Sequence, residues 1–362
     1  MVVIHGGNRE KIAALTRQPV DSLLDFSANI NPLGVPTAAR ATLVAALDEL
    51  SDYPNPDYPR LKTAIARHHH VNLADVFVGN GAVQLIFNAA LALEVKEALI
   101  LAPCFGEYER ALTKTHAHVN RLYLSADKNF QVDVDELIRR LQHAPSIGLV
   151  CLGNPNNPTG TNLNGVAMRQ LVNYCNQHQI WLILDEAFMD LTLSAHGSWL
   201  PQLTAQDHVL VVRSMTKFFA IPGLRLGYAI TKNPELQQRL TWQNEPWSIN
   251  IVAARFGEQA FKYNTYIRQT QHWLRHEQPW LEQQLNRIPF LKVYPSCTNF
   301  FLLKSNRARL REQLWSTGIL IRDCSDYEGL TAGYYRVAVK DRAANQQLLQ
   351  QLRLLGFAKE MR

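Results

Sequence analysis

The sequence predicts an α/β protein built on a mostly parallel sheet with helices on both faces, followed by a smaller α+β unit. Three observations lead there. Short, continuously apolar runs alternate with amphipathic stretches from about residue 74 onward, and strands buried on both faces lose the in-out alternation of half-exposed ones. Gly, Asn, Asp, Ser and Thr gather where those runs end, and in open α/β sheets ligands bind beyond the carboxyl ends of the strands. From about residue 256 the texture changes to long helices and then short strands, the order expected of a separate α+β unit.

Taken in order, residues 81–93 have helical spacing, EALILA (97–102) is a short apolar strand and DVDELIRRLQ (133–142) is helical again. SIGLVCL (146–152) reads as a strand, LNGVAMRQLVNYCNQH as a helix, and IWLILD (180–185) and HVLVVRS (208–214) as strands. Beyond them come helices over roughly 256–287, then KVYPS, NFFLLK, GILIRD and YYRVAV as strands, and a last helix near 341–354. No repeat, low-complexity tract or long linker interrupts the chain, so domain boundaries fall within continuous folded structure. The expected organisation is an N-terminal arm (1–36) belonging to the small domain, a large domain (37–255) and a small C-terminal domain (256–362).

Composition narrows the function classes. Hydrophobic residues make up 47% and charged ones 19%, and no apolar run approaches the roughly 18 residues of a membrane helix. The N-terminus lacks a signal-peptide pattern, so a cytoplasmic protein without a membrane partner is expected. The net charge is +6, but Lys and Arg are scattered rather than blocked, which favours an anionic small ligand over nucleic acid. Five cysteines form no C-x-x-C pair and are expected as unpaired thiols. His68-His69-His70 has no acidic or cysteine cluster beside it, so a solvated helix face is expected and no metal.

The strand-end residues suggest chemistry. Ser214-Met215-Thr216-Lys217 leaves an apolar strand and Arg225 follows. A lysine there can form an imine with an aldehyde cofactor, while Ser214 and Arg225 can hold a phosphate. Ser-x-x-Lys also marks serine-nucleophile enzymes, but their S-D-N and K-T-G elements are absent; alone, the string fits a surface Ser and Lys. Asp185 ends IWLILD, where a buried carboxylate can pair with a pyridinium nitrogen and so keep the ring an electron sink. Asn157, in Asn154-Pro155-Asn156-Asn157-Pro158-Thr159-Gly160, can donate to a ring phenolate, although that string is also a plain turn-former. Gly79-Asn80-Gly81 before a helix offers N–H groups to a phosphate; with Gln84 where a third glycine would stand, it is a poor dinucleotide fingerprint.

In this order, Asn-Pro-x-Asn-Pro-Thr-Gly, Asp185-Glu186-Ala187 and Ser214-x-x-Lys217 with Arg225 resemble the fold type I pyridoxal-phosphate aminotransferases of class I/II, over nearly the whole chain. Within that family the chain resembles the histidinol-phosphate aminotransferases and, more strongly, the threonine-phosphate decarboxylases of cobalamin biosynthesis. The second resemblance rests on His5-Gly6-Gly7-Asn8, on Asp25 through Gly34, and on Arg213 through Gly227.

The resemblance implies pyridoxal 5'-phosphate held as a Schiff base on Lys217, with Asp185 as pyridinium partner and Asn157 as phenolate partner. Ser214, Arg225 and the helix start Gly81-Ala82-Val83 would hold the cofactor phosphate. Phe105 would stack on the ring, ahead of Tyr108, and Tyr53 would reach the cofactor phosphate of a partner subunit in a homodimer. His5, Gly6, Asn29, Asn157, Arg322 and Arg336 would contact substrate, with Arg336 taking its carboxylate. Apart from the resemblance, an arginine in an apolar strand must find an anion or reach solvent, and spacing alone reads Arg322 as a surface residue. One departure stands out: many aminotransferases have Tyr three residues after the Asp, whereas this chain has Phe188, as the decarboxylases do. The implied reaction is decarboxylation of O-phospho-L-threonine to (R)-1-amino-2-propanol phosphate for the cobalamin nucleotide loop. The alternatives are a histidinol-phosphate-type aminotransferase and a decarboxylase preferring O-phospho-L-serine.

Overall fold

The computed structural model describes residues 6–193 and 197–357. A two-residue strand, β1 (Leu24–Asp25), precedes seven strands that form one sheet: β2 (Val76–Gly79), β3 (Glu97–Ala102), β4 (His118–Tyr123), β5 (Ile147–Gly153), β6 (Trp181–Asp185), β7 (Val209–Ser214) and β8 (Gly227–Ile230). Their order is β2-β8-β7-β6-β5-β3-β4. All neighbours are parallel except β8, which runs antiparallel to both β7 and β2.

The core explains why the strands read as unbroken apolar runs. In β7, Val209 and Val211 face one hydrophobic cluster while Leu210 and Val212 face another. Residues two apart share a sheet face, so both faces are dry and neither offers a polar alternation. The helix Ala82–Leu93 packs Leu85, Ile86 and Ala89 against Leu149, Ile183 and Leu210 on one side. On the other face, Leu171 and Val172 of the helix Gly165–Gln177 join Leu182 and Leu184. That helix starts on Asn164, whose Oδ1 accepts from the N–H groups of Val166 and Ala167 at 3.0 and 2.9 Å, an N-cap arrangement that satisfies orphan donors of the first turn.

A four-stranded sheet, β12-β13-β10-β9, comes later: β9 (Leu291–Val293), β10 (Phe300–Ser305), β12 (Arg322–Asp323) and β13 (Tyr334–Ala338), with β11 (Ile319–Leu320) set apart from it. GILIRD, expected as one strand, serves two sheets. Ile319 and Leu320 pair in parallel with Leu24 and Asp25, whereas Arg322 and Asp323 pair with Arg336 and Tyr335. This switch carries the chain's N-terminal segment to the edge of the later sheet.

Other sequence expectations need correction. The helices expected over roughly 256–287 are Ile251–Ala260 and Asn264–Leu285, so the first begins earlier than expected. Strands β2, β4 and β8 were not anticipated: β2 and β8 have four residues each, and β4 is an edge strand with exposed His118 and Tyr123. The His68–His70 tract is not simply solvated, since the His69 ring nitrogen Nε2 sits 2.7 Å from the Tyr228 hydroxyl and His68 stacks on Phe261. Burial lowers the His69 imidazole to about 2, so it stays neutral. Among the described residues no helix is long and apolar enough to cross a membrane.

Candidate active site

The carboxyl ends of β6 and β7 bring an acid and a base into one cleft. Asp185, the last residue of β6, is buried at 6% exposure. Its Oδ2 accepts from the Tyr108 hydroxyl at 2.8 Å and its Oδ1 from the Ala187 N–H at 2.9 Å. Loss of hydration raises the Asp185 carboxyl, an effect only partly offset by the Tyr108 donor, the charge of Lys217 and the Ala187 N–H. Lys217 follows β7 by one helical turn, and burial lowers its amine to about 8 against the pull of Asp185, with Arg225 and Arg336 adding to the lowering. Its side chain remains partly open to the cleft, so the protein around it, rather than full enclosure, produces the shift.

This pairing suits an aldehyde cofactor with a ring nitrogen. A neutral amine is the nucleophile imine formation needs, and a buried carboxylate short of positive charge is stabilised by a pyridinium. Lys217 Nζ donates to Ser214 Oγ at 3.2 Å, which in turn contacts Thr216 Oγ1 at 2.8 Å. The Nζ also lies 5.7 Å from the centre of the Phe188 ring, where a tyrosine hydroxyl is missing.

A phosphate-sized cradle lies beside Lys217. Ser214 pairs with Gly227 across β7 and β8, and Gly227 pairs with Gly79 at the end of β2. A Cβ on Gly227 would stand 2.4 Å from the Ala82 nitrogen; only glycine lets the helix start at Ala82 approach the sheet this closely. Gly81 caps that helix with φ +81 and no side-chain cap, leaving first-turn N–H groups without the usual side-chain acceptor. The Arg225 guanidinium rests against Gly81: a Cβ there would meet Nη2 at 2.4 Å. Thus Ser214, Arg225 and the 81–83 helix start converge on one spot.

The far wall comes from distant chain segments. Arg336, on β13, is 6% exposed; its Nη1 donates to Asn157 Oδ1 at 2.5 Å and its Nη2 to the Ser27 carbonyl at 2.9 Å. No carboxylate pairs with it among the described residues, and its Nε has no acceptor. Because the Asn157 oxygen is taken by Arg336, with the Tyr327 hydroxyl at 3.4 Å, its amide nitrogen is the end left to donate. Arg322 stands directly opposite Arg336 in the ladder. It contrasts with its neighbour, for Asp326 Oδ2 lies 2.8 Å from its Nη2, and it also donates to the Asp323 carbonyl. The surface reading of Arg322 is therefore corrected: although β12 is an edge strand, Arg322 is buried at 6% exposure, its guanidinium against Asp326 and over the Tyr327 ring.

Asn29 is 4% exposed, and both polar atoms of its side chain lack a partner. An unsatisfied buried amide costs about 1–3 kcal/mol, which a ligand can recover. Gly6 is seated on Ser27, where a Cβ would stand 2.2 Å from the Ser27 carbonyl oxygen. His5 lies outside the described residues. Phe105 lines a cavity of about 540 Å³ together with Arg322 and Tyr327, and its ring centre lies 5.6 Å from that of Tyr108.

Tyr108, the second candidate for the stacking ring, holds Asp185 through its hydroxyl; Phe105 lies before the helix Glu107–Lys114 that carries Tyr108, and the two rings meet edge to face at 84°. Tyr53 is 85% exposed and packs on Trp247, away from the contacts made by Lys217. Sequence reasoning gave no role to Asp25 and Ser27, whose backbone and side-chain bonds underlie Arg336; the D-x-S turn signal and the resemblance over Asp25 through Gly34 were the available hints.

Comparison with known proteins agrees with this geometry. The model of the aminotransferase class I and II family matches residues 21–352. Threonine-phosphate decarboxylase of Salmonella typhimurium is 40% identical over 358 residues, 98% of this chain and 97% of that protein. Histidinol-phosphate aminotransferase from Clostridium acetobutylicum superposes with a TM-score of 0.87 at 30% identity, covering 93% of this chain and 100% of that one. L-threonine-O-3-phosphate decarboxylase from Porphyromonas gingivalis gives 0.81 at 25% identity, covering 91% and 98%. The chain belongs to the aminotransferase class I and II family.

Proposed function

We propose that this chain is a pyridoxal-phosphate-dependent decarboxylase acting on O-phospho-L-threonine, releasing carbon dioxide and forming (R)-1-amino-2-propanol phosphate for the cobalamin nucleotide loop. The observation that carries this reading is the near full-length likeness to the Salmonella enzyme. It is supported by a buried Arg336 that lacks an acidic partner among the described residues.

Bound pyridoxal phosphate supplies an electron sink conjugated to the substrate Cα. Lys217 holds it covalently, Asp185 keeps its ring nitrogen protonated, and the Asn157 amide donates to its phenolate oxygen. Ser214, Arg225 and the Gly81-Ala82-Val83 helix start hold its phosphate, and Phe105 covers its ring. Arg336 binds the substrate carboxylate by a two-pronged ion pair, while Gly6, Asn29, Asn157 and Arg322, with His5 from the segment outside the described residues, bind the rest of the substrate. These residues would favour decarboxylation by holding the substrate carboxylate in one fixed orientation. The Lys217 amine, lowered to about 8, is suited to return a proton to Cα. A homodimer in the cytoplasm is part of this reading, with Tyr53 of a second copy reaching the phosphate site; its 85% exposure supports that role.

The experiment is incubation of holoenzyme with O-phospho-L-threonine in the absence of any ketoacid. Sustained, stoichiometric release of carbon dioxide is expected. A single conversion of the cofactor to its amine form without gas would instead make the chain an aminotransferase, the reading favoured by its likeness to the Clostridium enzyme. O-phospho-L-serine run in parallel measures how much the substrate methyl group matters, expected at about 1–3 kcal/mol.

A further inference from the structure

The proposed orientation of substrate requires the N-terminal arm and Arg336 to keep one spacing, and both are attached to the same buried peptide. Ser27 is 6% exposed. Its N–H and its hydroxyl both donate to Asp25 Oδ1, at 2.8 and 2.5 Å. With its proton directed at Asp25, the Ser27 oxygen is left to accept, and it accepts from the Gly7 N–H at 2.8 Å. The Ser27 carbonyl accepts from Arg336 Nη2 at 2.9 Å.

We propose that Ser27 is a positioning residue that seats the arm and sets the Arg336 guanidinium through one rigid turn. The fit between arm and turn is backbone against backbone, since a Cβ on Gly6 would stand 2.7 Å from the Ser27 carbonyl carbon. Gly7, at φ +89, supplies a conformation that other residues adopt at a cost. Lys340 Nζ lies 3.4 Å from the next carbonyl, Ala28, and anchors the far side of the turn. Rotation of the Ser27 peptide would therefore move the arm and the guanidinium together. Asp25 and Ser27 make no hydrogen bond to Lys217, Asp185 or Ser214, so the turn acts on binding geometry. The inference deepens the function proposed above and depends on that reading for the identity of the substrate.

The test compares wild-type holoenzyme with Ser27→Ala, by hydrogen exchange over residues 7–16 and by steady-state kinetics. Two hydrogen bonds are lost, so exchange over 7–16 is expected to quicken about tenfold and KM for O-phospho-L-threonine to rise about tenfold, with kcat within about threefold. Asp25→Asn keeps an acceptor oxygen for both Ser27 donors and is expected to give about one third of the effect. Exchange within about twofold of wild type over 7–16, or a quickening that extends equally through β6 and β7, overturns the proposal. So does a fall in kcat at unchanged KM. Absence of carbon dioxide release by the wild type would sink the substrate reading alone, because the exchange comparison needs no substrate and still gives its answer.

Discussion

Asp185, Ser214 and Lys217 enter the cleft from the ends of two adjacent parallel strands, whereas Ser27 and Arg336, 309 residues apart, meet across two sheets. The first group forms a floor, the second a wall. The floor is electrically balanced by one acid and one amine that pull each other's charge state toward ionisation while burial pushes both toward neutrality. The wall has two buried arginines opposite each other, of which only Arg322 pairs with an acid, Asp326, among the described residues. The difference teaches that the floor has its own partner charge, while in the wall Arg336 has no carboxylate partner among the described residues and, in the proposed function, receives one from the substrate.

The comparison is broken most directly at Lys217. Lys217→Ala removes the nucleophile and the proton donor together, and turnover is expected to fall about 10⁴-fold or more. Retention of full turnover would contradict every catalytic version of the floor. The wall answers next: Arg336→Lys keeps a charge but loses the planar fork held by Asn157 and Ser27, and kcat/KM is expected to drop about 10²-fold. A drop under about threefold would mean that Arg336 does not receive the carboxylate.

A pH series separates the two regions, because only the floor contains an amine lowered to about 8. In cofactor-free protein, reductive trapping of pyridoxal phosphate on Lys217 should slow about tenfold per pH unit below that value, following the neutral amine. The stability consequence has the same sign and the same origin. Between about 8 and the ordinary lysine value of 10.5 the unfolded chain binds a proton that the folded chain does not, so stability rises with pH across that window. The penalty is complete below it and gone above it. Trapping with a midpoint near 10.5 would show that the protein around Lys217 does not lower its amine.

Much of the floor was legible in the sequence because its residues stand at fixed offsets from apolar strands: Asp185 ends IWLILD, and Lys217 lies three residues past the Ser214 strand end. Local hydrophobicity and chain direction suffice to send such residues to one sheet edge. The wall was not legible that way. Whether Arg322 is buried depends on GILIRD dividing between β11 and β12, and a run of apolar residues does not encode which partner each half will find. For Tyr108 the limit is related, since its spacing from Phe105 says that both are near the cleft but not which way each ring turns. The Asp25–Ser27 turn went unseen because short polar turns are common and gain meaning only from what docks on them.

The smallest expected effect bears on the balance within the wall. Asp326 holds Arg322 at 2.8 Å through a side chain only 28% exposed, so in the absence of substrate it occupies an arginine that the proposed function assigns to substrate binding. Asp326→Asn removes the competing charge while keeping an oxygen acceptor of similar shape. A partly exposed ion pair contributes about 0–1 kcal/mol, so KM for O-phospho-L-threonine should fall about threefold, with kcat unchanged. The direction is what decides: a rise in KM of about tenfold would mean that Asp326 holds Arg322 in its binding orientation rather than competing for it. In that case both arginines would be positioned by the protein's own acceptors, Arg336 by Ser27 and Arg322 by Asp326, and the contrast between a balanced floor and an unfinished wall would reduce to the Arg336 guanidinium, which has no carboxylate partner among the described residues.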